Sequence, residues 1–496
     1  MNFEAHLPVL QIVVPLLGAP ICVLLRRKTT TWLFAVAITW ATFAMATMLL
    51  LRVLDGGVIS YALGNWAAPW GIEYRVDTVN AFILFLVTLI GSVVIIYAPA
   101  SIARELPDVR VNLFYTAYLL CLTGLLGMTI TGDAFNVFVF LEISSLSTYA
   151  LISLGADRRA LVASYRYLIL GSIGATFFVI GLGLLYMMTG TLNMADMAVK
   201  LQPVIGTRTV IAAFAFLSVG LSLKLALFPL HLWLPNAYAY APSFVTAFVA
   251  ATDTKVSVYV FIRFFFSIFG VEFAFDRYHL DALIIPLALL GIFVGSLVAV
   301  FQSNIKRMLA YSSIAQIGYI MLGVGFVSQT GLTAALLHLF NHALMKGALF
   351  LSMGCVVYRL GSTQLDDFRG LGRRMPFTMA AFVLGGLSLI GVPVTVGFVS
   401  KWYLVLAALE RGWWPVAVLI LIASLIAVCY IWRVVEVAYF QKADDQTDDV
   451  QVEEAPLSMQ VPMWILIGGT LFFGISATFT TGVAGRGAQI LLGATP

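Results

Sequence analysis

Nine ionisable side chains interrupt the apolar stretches of this sequence: Glu142, Lys224, His231, Asp253, Lys255, His338, His342, Lys346 and Lys401. A charge at the centre of a membrane-spanning helix costs on the order of 2.5–3.5 kcal/mol on insertion scales. Such groups therefore pair inside protein or mark an ion path. The mid-stretch cations are lysines, whereas arginines stand near the ends of the stretches. Lysine gives up its proton readily when desolvated and arginine does not. A proton relay requires that property; a structural ion pair accepts either residue. The choice of lysine points to proton transfer.

Spacing adds detail. In LHLFNHALMKGALFL (337–351), His338, His342 and Lys346 recur at i, i+4 and i+8, which stacks them on one helix face. Neutral imidazole both donates and accepts, as relay through water needs. Zinc at this pair would call for a third ligand and a general-base Glu. Neither is evident in the sequence, so no metal and no cofactor is expected. Glu142 lies within NVFVFLEISSLSTYALISL (136–154). A carboxylate there takes up or releases a proton according to whether a cation stands beside it. Lys224, in LSLKLALFPLHLWLP (221–235), is the expected partner. His231 follows Pro229 and is read as an access group or a cap. Asp253 and Lys255, two apart, cannot share a helix face. Lys255 is placed toward the interior, and Asp253 toward a rim or a neighbouring subunit.

These residues need a scaffold, and composition names its class. The chain of 496 residues is 61% hydrophobic and 10% charged, against about 25% charged in soluble domains. It is a polytopic membrane protein. A net charge of +4 gives no reason to expect nucleic acid. The four cysteines show no pairing or ligand spacing and there is no GxGxxG, so the chain performs no redox step alone. The N-terminus lacks a basic leader segment, so its first apolar stretch is expected to be a retained helix.

A spanning helix needs about 20 apolar residues. Fourteen stretches qualify, near 8–25, 32–51, 79–98, 112–130, 134–154, 163–189, 208–228, 243–268, 281–302, 305–326, 331–356, 377–400, 414–440 and 462–483. Lys and Arg crowd the odd-numbered loops, as at Arg26, Arg27 and Lys28, Arg158 and Arg159, and Arg373 and Arg374. The positive-inside rule then puts both termini outside. The acidic loop 441–454 is read as solvated.

ISSLSTYALISLG (143–155) and YSSIAQIGYIMLG (311–323) share Ser-Ser and a final Gly. Phe178 and Tyr186, further on, match Phe350 and Tyr358. These echoes predict two five-helix copies, spans 4–8 and 9–13, inverted because five is odd. The second-copy counterpart of LSLKLALFPLHLWLP is LIGVPVTVGFVSKW (389–402). Both are interrupted by Pro or Gly, so spans 7 and 12 should be broken. Broken helices in matching positions of two repeats point to a transport path. The predicted fold is all-α with about fourteen membrane helices. Its parts are 1–110 (helices 1–3), 111–270 and 271–440 (the repeats), and 441–496 (the acidic loop and helix 14).

KLALFPLHLWLPNAYAYAP, TKVSVYVFIR, NIKRMLAYSSIAQIGYI, LHLFNHALMKGALFL and GVPVTVGFVSKW together resemble the proton-translocating antiporter-like family. That family is shared by respiratory complex I, membrane-bound hydrogenases and Mrp-type multisubunit Na+/H+ antiporters. The likeness runs from about residue 75 to 440. Chain length and Thr254-Lys255-Val256 are most like the D-type member of the Mrp branch. The resemblance implies proton transfer through Glu142, Lys224, Lys255, His338, His342, Lys346 and Lys401, with His231 and Asp253 accessory. It also implies H+ and Na+ as cargo, a second antiporter-like subunit among several partners, and a bacterial inner membrane. A redox-driven complex I-like or hydrogenase assembly is the alternative setting. Asp253 and Asn236 depart from the family pattern.

Overall fold

The computed structural model describes residues 3–106, 111–155, 157–442 and 453–493. Most of the acidic loop lies outside these residues. Its last glutamate, Glu454, is half-buried. The Glu454 carboxylate accepts from the Phe377 and Thr378 amides at 2.6 and 3.2 Å and from the Thr378 hydroxyl at 2.6 Å. It thereby satisfies otherwise orphaned donors at a helix start.

Among the described residues, twelve helices are long and apolar enough to cross a membrane. Helices α1 (Leu7–Leu24) and α2 (Lys28–Gly56) lead to a short hairpin, β1 (Ile59–Ala62) with β2 (Glu73–Val76). Next come α3 (Thr78–Glu105), α4 (Val111–Ile130), α5 (Ala134–Ser153), α6 (Arg158–Thr189) and the short α7 (Met194–Leu201). The seventh crossing is divided into α8 (Arg208–Lys224) and α9 (Leu234–Tyr240). Unbroken α10 (Ser243–Ile262, prolonged to Ile268), α11 (Leu280–Val300), α12 (Ile305–Gly325) and α13 (Gln329–Leu360) follow. After the short α14 (Leu371–Arg374), the twelfth crossing is divided into α15 (Pro376–Ile390) and α16 (Val396–Glu410). The last described elements are α17 (Trp414–Val435), α18 (Leu457–Ile475) and α19 (Thr478–Leu491). Twelve continuous crossings and two divided ones make the fourteen read from the sequence.

The last crossing needs correction. The stretch 462–483 is not one helix: α18 ends at Ile475 and α19 begins at Thr478. In α19, Thr480, Val483, Ala484, Gly487, Ala488 and Leu491 are buried on one face, against α3 and α13. With 14 residues it is too short to span.

The two copies are visible in the backbone. An isolated bridge joins Asp133 to Asn193, and its counterpart joins Asn304 to Gln364. Asp133 and Asn304 each cap the helix that follows, accepting from the amides of Asn136 and Arg307. The enclosed helices α6 and α13 are each 32 residues long, and left-handed Gly190 and Gly361 end them. Five crossings separate the two motifs, which puts them at opposite ends of the bundle. The repetition is inverted.

Burial is deepest at the centre. Every residue of α10 is buried, enclosed by α13, α3, α4 and α8. Bilayer offers no hydrophobic drive between helices, so close packing of small residues matters. Gly174 of α6 meets Gly220 of α8, where a Cβ on Gly220 would come within 2.7 Å of the Gly174 carbonyl oxygen. That approach holds α6 against the end of α8.

Candidate functional site

Lys224 is the last residue of α8. Ala226 turns left-handed (φ 61°), and the chain winds irregularly to Trp233 before α9 begins at Leu234, with Pro235 in its first turn. The helix thus ends five residues before Pro229. The indole of Trp233 donates to the Leu223 carbonyl at 3.0 Å and stacks on Tyr167 of α6 at 3.9 Å. Irregular backbone at membrane depth survives only when protein or a cavity satisfies it; Trp233 satisfies part of this break.

The Lys224 ammonium donates to Ser145 Oγ and Tyr167 Oη, both at 2.9 Å. It lies 3.5 Å from Asp253 Oδ1. Tyr167 donates in turn to Asp253 Oδ2 at 2.7 Å. Two expectations are corrected here. Asp253 is not near a rim: it is 0% exposed and faces Lys224. Glu142 is within electrostatic reach of Lys224 but makes no direct ion pair with it among the described residues, where Asp253 is the contacting carboxylate. Glu142 is half-buried on a stripe of α5 whose neighbours Phe135, Val139 and Leu146 are exposed. At i, i+4, i+7 and i+11 these residues share one face, the more exposed face of α5.

Lys255 emerges from the other side of α10. It donates to the Ala250 carbonyl and approaches Thr254 Oγ1 at 3.4 Å. It is within electrostatic reach of His338, His342 and Lys346. All three are buried on one face of α13, as their spacing predicts. Lys346 donates to the Leu309 carbonyl at 2.7 Å and to Ser312 Oγ at 2.5 Å. His338 is bound at both nitrogens, to Ser400 and Gln316 at 2.8 Å each. His342 stacks on His338 with centroids 6.2 Å apart, and neither of its nitrogens has a hydrogen-bond partner among the described residues.

Beyond His338, Lys401 of α16 reaches back across the second break. It donates to Leu389 and Ile390 carbonyls at 3.1 and 2.8 Å and to Ser424 Oγ at 3.0 Å. It thereby holds the open end of α15. Gly391 (φ 94°) makes the turn, and a Cβ at Gly397 would collide with the Ser388 carbonyl. Tyr319 connects the two groups, its ring 4.8 Å from Lys401 and 5.7 Å from that of His338. His231 lies buried in the first break with its ring on Phe228 rather than on any of these lysines.

Sequence reasoning missed Tyr167, Gln316, Ser400 and Tyr319, which are ordinary core residues until the helices are placed. A signal did exist for two others. The repeated Ser-Ser of 144–145 and 312–313 supplies one hydroxyl to a buried lysine in each copy: Ser145 to Lys224 and Ser312 to Lys346.

Residues 131–427, covering this file of lysines, match the family described as NADH:quinone oxidoreductase/Mrp antiporter, TM. The chain belongs to this family. It is 42% identical over 484 residues to the N-type chain of the NADH-quinone oxidoreductase of Desulforudis audaxviator, covering 95% of this chain and 96% of the relative. It is 32% identical over 443 residues to the D-type chain of the Na(+)/H(+) antiporter of Alkalihalophilus pseudofirmus, covering 88% of each. Among solved structures, a chain of an archaeal membrane-bound sulfane sulfur reductase superposes with a TM-score of 0.90 at 31% identity, covering 98% of both chains. A chain of the Mrp complex from Dietzia sp. DQ12-45-1b also gives 0.90, at 26% identity over 100% of this chain and 98% of that one. Both neighbours are multisubunit membrane assemblies, so the family's members work among partner chains.

Proposed function

We propose that the chain is the proton-translocating subunit of a multisubunit Na+/H+ antiporter. In this reading protons pass along a buried file from Lys224 through Lys255, Lys346, His342 and His338 to Lys401. The observation that carries it is the file itself: four lysines and two histidines, all buried, running between the two divided crossings. His342 supports hydration, since a buried imidazole with two unbonded nitrogens demands water for a partner. The two inverted copies, 111–270 and 271–440, would each give one end of the file access to one face of the membrane. His231 would serve as an access group.

Glu142 supports the presence of a partner chain. A carboxylate on an outward face at mid-membrane is costly unless protein covers it, and we assign that cover to a neighbouring subunit. In this reading the basic loops face the cytoplasm, with both termini on the outer side of a bacterial inner membrane. A second setting is favoured by the 42% identity to a quinone oxidoreductase subunit: the same file driven by redox chemistry on other chains. Subunits co-purifying with the chain separate the settings, small antiporter subunits for one and redox subunits for the other. The relay itself is tested in everted vesicles. Undiminished exchange by an assembled Lys224→Ala complex would falsify it.

A further inference from the structure

Three carboxylates are buried among the described residues: Glu73, Asp77 and Asp253. Glu73 and Asp77 stand in or beside the hairpin, before α3. Asp253 stands mid-way along α10, where every neighbour is buried. A charge in such a place needs a cation. Asp253 has two within reach, on opposite sides of its own helix. Lys224 is 3.5 Å away. Lys255, two residues along, feels the same negative charge across the helix. Tyr167, Tyr149, Tyr238 and Cys121 are the other titratable groups facing this carboxylate from α6, α5, α9 and α4. None of them is a cation.

The contact with Lys224 is loose. A charge-assisted N–H···O bond measures about 2.7–2.9 Å. Lys224 spends its short bonds on Ser145 and Tyr167 instead. Asp253 Oδ2 is fixed by the Tyr167 hydroxyl, while Oδ1 accepts no hydrogen bond among the described residues. The carboxylate is thus held in place by a neutral phenol and locked to neither lysine.

We propose that Asp253, positioned by Tyr167, is a counter-charge shared by Lys224 and Lys255, and that it passes the positive charge across α10, from the α8–α9 break toward the histidines of α13. This rests on the relay reading above. With Lys224 protonated, Asp253 is compensated and Lys255 stays neutral. When an N–H bond of Lys224 breaks, its proton leaves to water and Asp253 is left alone. That water delivers a proton to Lys255 Nζ, forming one N–H bond there, and from Lys255 it goes on to the histidines of α13. Asp253 faces one cation before and after; Glu142 of α5, the other carboxylate within electrostatic reach of Lys224, makes no direct ion pair in this group. The two lysines lie on opposite faces of α10, so the charge crosses the most buried helix of the bundle without any side chain travelling through it.

The test is infrared difference spectroscopy of the purified, reconstituted complex, read at the protonated-carboxyl band. Asp253→Asn identifies the band. Lys224→Ala alone is expected to leave Asp253 ionised, because Lys255 takes over as its cation. Lys224→Ala with Lys255→Ala is expected to bring the band up. A band in Lys224→Ala alone overturns the proposal, as does its absence in the double variant. Lys224→Gln and Lys255→Gln repeat the comparison if the alanine variants do not assemble. The carboxyl signal is independent of transport, so an intact exchange activity in Lys224→Ala would sink the relay without touching this result. Tyr167→Phe should lower exchange about tenfold and alter its pH profile, which a merely structural tyrosine would not do.

Discussion

Lys224, at the end of a helix cut short, stands 3.5 Å from Asp253 in the middle of a helix buried on every side. Neither could remain charged there alone. Removing one member of a buried pair typically costs about 3–5 kcal/mol, because the survivor is left uncompensated. Lys255 can take over as the cation of Asp253, so Lys224→Ala should stop exchange at a smaller loss of stability than that, and the full loss is expected of Lys224→Ala with Lys255→Ala. Lys224→Arg separates the two effects: arginine supplies the cation but does not release its proton. Its thermal unfolding should stay close to that of the parent while exchange falls to background. Robust exchange with arginine in place would mean that Lys224 never gives up its proton.

The two histidines of α13 should part company. His338 is bonded to Gln316 and Ser400, and His338→Ala orphans both, at about 1–3 kcal/mol for a buried polar group left unsatisfied. His342 bonds to no protein atom among the described residues. His342→Leu should leave the unfolding temperature nearly unchanged and abolish proton movement. Equal losses of stability in the two variants would contradict the hydrated role given to His342.

Gly397 tests the second break. Its Cα faces the Ser388 carbonyl with no room for a methyl group. Gly397→Ala should push α16 away from α15 and cost about 1–3 kcal/mol, as overpacking does. It should also loosen the hold of Lys401 on the Leu389 and Ile390 carbonyls. Thermal unfolding reads the first effect and exchange rate the second. An unshifted unfolding temperature would show that the two helices can part without strain.

Glu454 lies far from the file and should behave differently. It caps the amides of Phe377 and Thr378 at the start of α15. Glu454→Ala should cost about 0.5–2 kcal/mol, the range for a lost helix cap, with exchange little altered. A variant as stable as the parent would mean that water replaces the cap.

Much of this architecture was legible because membrane solvent imposes it. A chain crossing a bilayer must hide its backbone in helices, so hydropathy alone yields fourteen crossings. The two that are divided carry Pro or Gly within their breaks, Pro229 in the first and Gly391 and Pro393 in the second. The His338, His342 and Lys346 face follows from helical period alone. Charge pairing was not legible. Sequence order places Glu142 and Lys224 in crossings that ought to meet, and nothing local says which way Glu142 points. Only the packing of α6 on α8 at Gly174 and Gly220, with α10 against α8, brings Tyr167 and Asp253 to Lys224 and leaves Glu142 half-buried without direct contact to it. Periodicity determines which residues share a face; which face meets which partner is decided by the packing of helices far apart in the chain.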